Sequence, residues 1–283
     1  MMNKADNSSM MPITIQQQHV LMLEAIKYID MVCKKENIKY FAAFGTLLGA
    51  VREHGFIPYD DDADLIMKRD EYVRFGEAVK DYPDPRFFFQ TVETDNQFFL
   101  PFLGRVRLND TVRSSFEINA KYHNGIYVDI FPLDYGFASR ATSRRRFKAA
   151  SILHKLMYKR IRRLRNLRTL ESMLLTAALK TMNMSFYDKI YRRIISNNNP
   201  DKTRLINFGG TSDFDHDEFP AEAFDETIEL QFEDMMLSCP AQYDQLLRIS
   251  YGDDYMTPLD RRYVSPLVKI NSPLLPNFTG GNC

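Results

Sequence analysis

The residues most able to do chemistry in this sequence are the aspartates Asp60, Asp61, Asp62 and Asp64. The apolar run Leu65-Ile66-Met67 that follows them has strand character, and a strand sends alternate side chains to opposite faces. Asp62 and Asp64 therefore share a face, joined by Asp60 if the strand begins early, while Asp61 and Ala63 face the other way. Carboxylates held this close need counter-charge, which a divalent cation with oxygen ligands supplies. A third carboxylate from a neighbouring strand would let two such ions clamp the attacking and leaving oxygens of a phosphoryl transfer. Asp129, set among Tyr127, Val128, Ile130 and Phe131, is that third ligand. The plain alternative, a solvated turn after Pro58, accounts for the acidic run alone. It does not account for Asp129, because a carboxylate on an apolar strand must find a partner.

Two other metal patterns are weaker. Asp60, Asp62, Asp64 and Glu71 fall at the first, third, fifth and twelfth positions of a calcium loop, but Leu65 stands where that loop needs a glycine. Asp62-Ala63-Asp64 also satisfies the short Asp-x-Asp pattern of metal-dependent glycosyltransferases, yet only one strand and one glycine turn precede it. Zinc is not expected, because Cys33, Cys239 and Cys283 are scattered.

A phosphate-bearing substrate needs cations and backbone N–H groups. Gly45-Thr46 opens a helix after a strand, which suits phosphate. Arg52, Arg105 and Arg107 are the arginines that the same core would bring toward the acids, and a guanidinium grips two phosphate oxygens at once. Asp60 and Asp134 are further site candidates. His54 and His123 read as loop residues.

These residues must be positioned by an α+β fold, a mixed sheet with helices. Thr14 and Gln17 form a capping box for a first helix ending near Asn37. Strands are expected over 38–44, 63–67, 86–92, 102–108 and 126–131, with a short helix after Gly45 and a polar one over about 70–80. The segment Arg140 to Arg168 has no acidic residue, and Ile152, Leu153, Leu156, Met157, Ile161 and Leu164 recur at helical spacing, giving a basic amphipathic helix. Asp213 to Asp234 is the reverse, with ten carboxylates and no Lys or Arg. The expected organisation is an N-terminal helix (1–37), a catalytic core (38–135), a basic helical insertion (136–204) and a C-terminal part completing the core (205–283).

The chain has 37 Lys+Arg and 37 Asp+Glu, so nothing in its overall charge favours a nucleic-acid partner. At 45% hydrophobic residues it has material for a packed core. No leader or membrane-spanning stretch is evident, and the expected location is cytoplasmic, with peripheral contact at the inner face of the cell membrane.

Phe44-Gly45-Thr46-Leu47-Leu48-Gly49-Ala50-Val51-Arg52 and Gly55-Phe56-Ile57-Pro58-Tyr59-Asp60-Asp61-Asp62-Ala63-Asp64 together resemble the hallmark block of the LicD family. Arg105-Val106-Arg107, the run Tyr127 to Asp134, and Tyr251-Gly252-Asp253-Asp254-Tyr255-Met256 resemble its further motifs. Tyr59 stands where that family usually has Trp, Ala63 where it usually has Ile, and the Tyr-Gly-Asp-Tyr-Met element carries one extra Asp. The resemblance implies a nucleotidyltransferase-like core with an added helical subdomain. It implies transfer of a phospho-alcohol, such as phosphocholine, from a CDP-activated donor onto a sugar hydroxyl of a lipopolysaccharide, capsule or teichoic acid, with Mg2+ or Mn2+ as cofactor. The acceptor would be a glycan or lipid-linked glycan, and the basic helix would either lie against anionic membrane or pack on the protein core with its arginines toward solvent or the acidic segment Asp213 to Asp234. Nucleotidyl transfer to a small molecule, an Asp-x-Asp glycosyltransferase, and a binding module that lost its chemistry are the competing readings.

Overall fold

The computed structural model of the chain describes residues 10–114, 122–161, 183–210, 213–258 and 267–271, with only the backbone described for Met10, Ser114, 159–161 and 267–271. In chain order the elements are β1 (Met10–Ile13), α1 (Ile15–Glu36), β2 (Phe41–Ala42), α2 (Phe44–Arg52), β3 (Asp64–Lys68), α3 (Arg69–Ala78), β4 (Phe87–Gln90), β5 (Gly104–Leu108), β6 (Thr111–Ser114) and β7 (Tyr127–Phe137). They continue with α4 (Arg140–Ile161), α5 (Met184–Ile195), β8 (Pro200–Ile206), β9 (Glu218–Pro220), β10 (Thr227–Phe232), β11 (Met235–Pro240), α6 (Tyr243–Tyr251) and β12 (Leu267–Asn271). The fold is α+β.

The capping box forms as its spacing demands: Gln17 N–H donates to Thr14 Oγ1 at 3.2 Å and Thr14 N–H to Gln17 Oε1 at 2.9 Å. Asn37 ends α1 with φ +50°, in the left-handed region that asparagine tolerates.

The main sheet runs β2-β3-β7-β5-β4, with β8 and β9 added beside the far half of β7. Only the β3–β7 pair is parallel, and it sets Asp64 directly opposite Asp129. On its other side β7 pairs antiparallel with β5, setting Arg105 opposite the same Asp129. Val128 and Ile130 are wholly buried because β7 is the middle strand with both faces covered.

Two apolar clusters flank the sheet. One joins α1, α2 and α3 to β3, β7 and the β10–β11 hairpin; the other gathers Phe98, Phe99 and Phe102 with α4, α5, Phe208 and Phe214. The expected stripe of α4 is buried at Leu153 and Met157 and partly buried at Leu156, and only Ile152 departs from it among the described side chains. Phe147 and Ala150 are buried with the stripe, whereas Ile152 is 51% exposed. The aromatic cluster selects the face that meets it, and Phe147 packs against Phe208 and Phe214.

The near end of the basic stretch is neutralised within the chain. Arg140 pairs with Asp215 and Glu218, and Arg144 with Asp215, so the basic and acidic segments meet. The Arg160 side chain and residues 162–168 lie outside the described residues. Among the described helices none is long and apolar enough to cross a membrane.

Candidate active site

The acidic loop is held from behind by α1. Gln18 Nε2 donates to the Asp61 carbonyl at 2.5 Å, and His19 Nε2 donates to the Asp60 carbonyl at 2.6 Å. The His19 ring stacks on Phe56 with centroids 4.4 Å apart. The Asp64 N–H donates to Thr46 Oγ1 at 2.8 Å, tying the start of β3 to the first turn of α2. Thr46 is therefore a buried strut beneath Asp64, and Gly45 is the residue of that turn that faces open space. A Cβ at Gly45 would collide with the Asp60 carboxylate, which is why a glycine stands there.

Asp62 and Asp64 form the wall between two cavities. One, of about 400 Å3, lies under α4 and is bordered also by Arg105, Asp129, His154, Asn207 and Asp217. The other, of about 380 Å3, is bordered by Gly45, Arg52, Tyr59, Asp60, Asp254 and Tyr255. Phe44, Asp62, Asp64 and Tyr251 belong to both. The alternation expected for the acids holds: Asp60, Asp62 and Asp64 reach the cavities, while Asp61 turns inward to a salt bridge with Arg113. β3 itself begins only at Asp64, and the preceding loop extends the ladder through an Asp129 N–H to Ala63 carbonyl bond of 2.8 Å.

The carboxylates carry more negative charge than the surrounding protein offsets. Burial, with Asp62 and Asp61 adding to it, pushes the Asp60 carboxyl up to about 7. Asp64 is raised well above the usual carboxylate range by burial and by Asp62, Asp129 and Asp60. Asp62 is raised by burial against a partial opposing pull from Arg113, and it shares a hydrogen bond with Asp60. One carboxylate oxygen from each of Asp60, Asp61 and Asp62 lies within 4.8 Å of the others. Asp61 is already compensated by Arg113, so a cation is better matched to the cavity-facing pair Asp62 and Asp64, with Asp60 beside them. A hard-oxygen donor set with unmet charge fits a magnesium or manganese ion.

The other expected site residues separate into two groups. Arg52 borders the smaller cavity, bonded to Glu53 and to the Tyr255 carbonyl, and Arg105 borders the larger. Asp129 is capped by Arg105, whose Nε donates to Oδ1 at 2.5 Å and whose Nη2 donates to Oδ2 at 3.2 Å. Arg107 borders neither cavity. Its Nε donates to Gln90 Oε1 at 2.5 Å and its Nη1 to the Gly125 carbonyl at 2.6 Å, so it braces β4 and the turn before β7. Asp134 also lies away from both cavities, gripped by Arg69 at 2.8 and 2.6 Å.

Several site residues give little sequence signal. Arg105, Arg107 and Arg113 all lie over the Tyr127 ring, at 3.9, 4.8 and 4.7 Å from its centroid. Arg113 and Tyr127 are thus the cationic and aromatic backing of the acidic loop. Phe44, shared by both cavities, has φ +44°, a strained conformation for a bulky residue that local packing against Phe131 holds in place. The Tyr251 contribution could have been sensed from its acidic neighbours Asp253 and Asp254, but those of Asn207 and His154 depend on chain packing alone.

The Arg105–Asp129 pair carries a stability prediction. Both side chains are almost fully buried, so removing one leaves the other charge without compensation. Asp129→Ala is expected to destabilise the chain by about 3–5 kcal/mol in urea unfolding. Arg105→Ala should cost a similar amount, and the double variant less than the sum, which a double-mutant cycle measures.

Residues 37–159 match the family described as LicD/FKTN/FKRP, nucleotidyltransferase domain. An 84-residue stretch is 37% identical to "Lipopolysaccharide cholinephosphotransferase LicD" of Haemophilus influenzae, covering 30% of this chain and 32% of that protein. A 67-residue stretch is 33% identical to an uncharacterized protein of Rickettsia typhi, covering 24% of this chain and 22% of the relative. A 38-residue stretch is 63% identical to an uncharacterized protein of Rickettsia prowazekii, covering 13% of this chain and 14% of the relative. The similarity spans about a third or less of each of these relatives.

Proposed function

We propose that this chain, whose residues 37–159 match the LicD/FKTN/FKRP nucleotidyltransferase-domain family, is a metal-dependent phosphotransferase. It moves a phospho-alcohol of the phosphocholine type from a CDP-activated donor to a sugar hydroxyl of a cell-surface glycan such as lipopolysaccharide. The observation that carries this reading is the pair of cavities meeting at Asp62 and Asp64, two half-buried carboxylates with unmet negative charge.

In the reaction an acceptor hydroxyl oxygen attacks the phosphorus bearing the alcohol. A new oxygen–phosphorus bond forms, the bond to the bridging oxygen breaks, CMP leaves with that electron pair, and the hydroxyl proton passes to solvent. Attacking and leaving oxygens lie roughly in line, and carboxylates placed between two cavities suit that geometry. Asp62 and Asp64, supported by Asp60 and Asp129, would hold Mg2+ or Mn2+, which when bound neutralises charge on the transferring phosphoryl group. Arg52 and the N–H groups at Gly45 orient the donor phosphates. Arg105 fixes the Asp129 carboxylate and keeps its charge in place. Acceptors of this class are carried on lipids, so the expected workplace is the inner face of the cytoplasmic membrane.

Donor labelled separately in its choline and cytidine parts tests the reading. With lipooligosaccharide acceptor and Mg2+, the choline label should move to the glycan and the cytidine label should appear as CMP, with no turnover in excess chelator. Movement of the cytidine label instead would make the chain a nucleotidyltransferase. Undiminished transfer after verified metal removal would end the metal assignment.

A further inference from the structure

The larger cavity contains a group that the transfer chemistry described so far does not use. His154, on α4, borders this cavity, is 6% exposed, and its Nε2 has no hydrogen-bond partner among the described residues. Its ring packs on Phe102 at 4.0 Å and on Tyr158 at 4.8 Å between centroids. A buried ring nitrogen without a partner costs free energy that an incoming ligand recovers. Burial and the neighbouring Arg105 and Lys155 cations push this imidazole down to about 4, so it meets a ligand uncharged.

The two cavities also differ in chemistry. The one beside Arg52 has that guanidinium, itself also bonded to Glu53, together with the open start of α2 at Gly45, the rings of Tyr59 and Tyr255, and the carboxylates Asp60 and Asp254 beside the shared Asp62 and Asp64. With a cation on its carboxylates, that set suits an anionic nucleotide. The one beneath α4 has His154, an asparagine and a serine among aromatic rings, with His216 and Asp217 at its wall, and its arginine, Arg105, is already matched to Asp129. Asn207 is held in one orientation, because its Nδ2 donates to Asp217 Oδ1 at 3.0 Å and its Oδ1 accepts from Gly209 N–H at 3.0 Å. Neutral hydrogen-bonding groups between aromatic faces suit sugar hydroxyls and the apolar face of a pyranose ring.

We propose that the cavity under α4 is the acceptor chamber, in which His154 hydrogen-bonds a hydroxyl of the carbohydrate, while the nucleotide half of the donor occupies the cavity beside Arg52. The inference rests on the phosphotransferase reading above and adds the division of substrates. It gives the helical insertion a role: α4 and the Asn207 turn build the wall that reads the acceptor. The in-line requirement supports the division, because CMP must depart on the side of Asp62 and Asp64 away from the arriving oxygen.

The experiment uses the full chain with Mg2+, CDP-choline binding by equilibrium dialysis, and transfer kinetics on a panel of methyl glycosides. His154→Phe should raise the KM of the best glycoside by about 30-fold while the CDP-choline Kd stays within about threefold. His154→Gln, which keeps a hydrogen-bonding edge, should recover most of that loss. Arg52→Ala should give the opposite split, weakening CDP-choline by about tenfold and leaving the glycoside KM in place. Thermal midpoints show that each variant is folded, and His154→Leu replaces His154→Phe if the larger ring is not accommodated. The division is overturned if His154→Phe weakens CDP-choline tenfold, or if it leaves the glycoside KM unchanged. Failure of the unmodified chain to bind any CDP-alcohol overturns the phosphotransferase reading itself, and the division with it.

Discussion

Asp62→Ala and Asp64→Ala are each expected to lower phospho-alcohol transfer by at least about a thousandfold, a loss of about 4 kcal/mol in transition-state stabilisation. Both carboxylates stand where the two cavities meet, and among the described residues no other acidic one borders both. Their removal should not unfold the protein. Burial and neighbouring carboxylates make the ionised form of Asp64 costly in the absence of a cation, so the metal-free variant should melt at or above the parent temperature. Asp129→Ala differs, since it strands Arg105 inside the core. Activity at saturating donor and metal, with thermal melts of the same preparations, checks both halves. Parental turnover in Asp62→Ala or Asp64→Ala, or a marked fall in melting temperature for either, would contradict the site.

The raised aspartate carboxyls are expected to make metal-free protein progressively less stable as the pH climbs from about 4 to about 7, and Mg2+ or Mn2+ to restore it. The folded Asp60 carboxyl titrates near 7, against 3.8 for its ordinary value, and Asp64 is raised as well. In that interval the folded chain binds more protons than the unfolded chain, so raising the pH favours unfolding. The penalty begins near the ordinary carboxylate value and is complete for Asp60 once the pH passes about 7. His123 and His154 act oppositely, because burial pushes each down to about 4 from 6.5 and makes stability rise with pH over that range. Their contribution becomes constant only above about pH 7.5, so the carboxylate effect is read as the difference between parent and Asp60→Asn, in which the histidines cancel. Asp60→Asn should gain stability over the parent as pH climbs from 4 to 7, by about 5 °C in melting temperature. Metal at a hundredfold excess over its Kd adds about 2.7 kcal/mol to the parent. A pH-independent difference between Asp60→Asn and parent, or melting indifferent to both ions, would refute the account.

Much of the site could be read before any folding was known, because it is encoded locally. The capping box of α1, the glycine turn into α2, the alternation of the acids and the placement of Asp129 on an apolar strand each follow from residues within a few positions of one another. Arg107 and Asp134 show where such reading stops. Arg105 and Arg107 have the same spacing and share a ring, Tyr127, yet Arg105 borders a cavity and Arg107 is held by Gln90 and the Gly125 carbonyl. Nothing local tells them apart, since the partners come from β4 and from the turn before β7. Asp134 looks like one more acid of the motif until Arg69 closes on it.

The helical region makes the same point at larger scale. Its helical character and its basic charge are properties of the sequence, since propensity and spacing act within a few turns. Its apolar stripe was legible too, apart from Ile152, whereas which acids meet Arg140 and Arg144 was decided by the return of the chain at Asp215 and Glu218. Sequence alone determined the α+β class, the LicD-type motifs, and the carboxylates Asp62, Asp64 and Asp129, because strand alternation and turn chemistry are local. Tertiary structure decided that Asp62 and Asp64 separate two cavities, that Asp129 is fixed by Arg105, and that His154 and Asn207 face the same space from distant segments. Those facts depend on strand order and long-range packing, for which no short stretch of sequence carries the information.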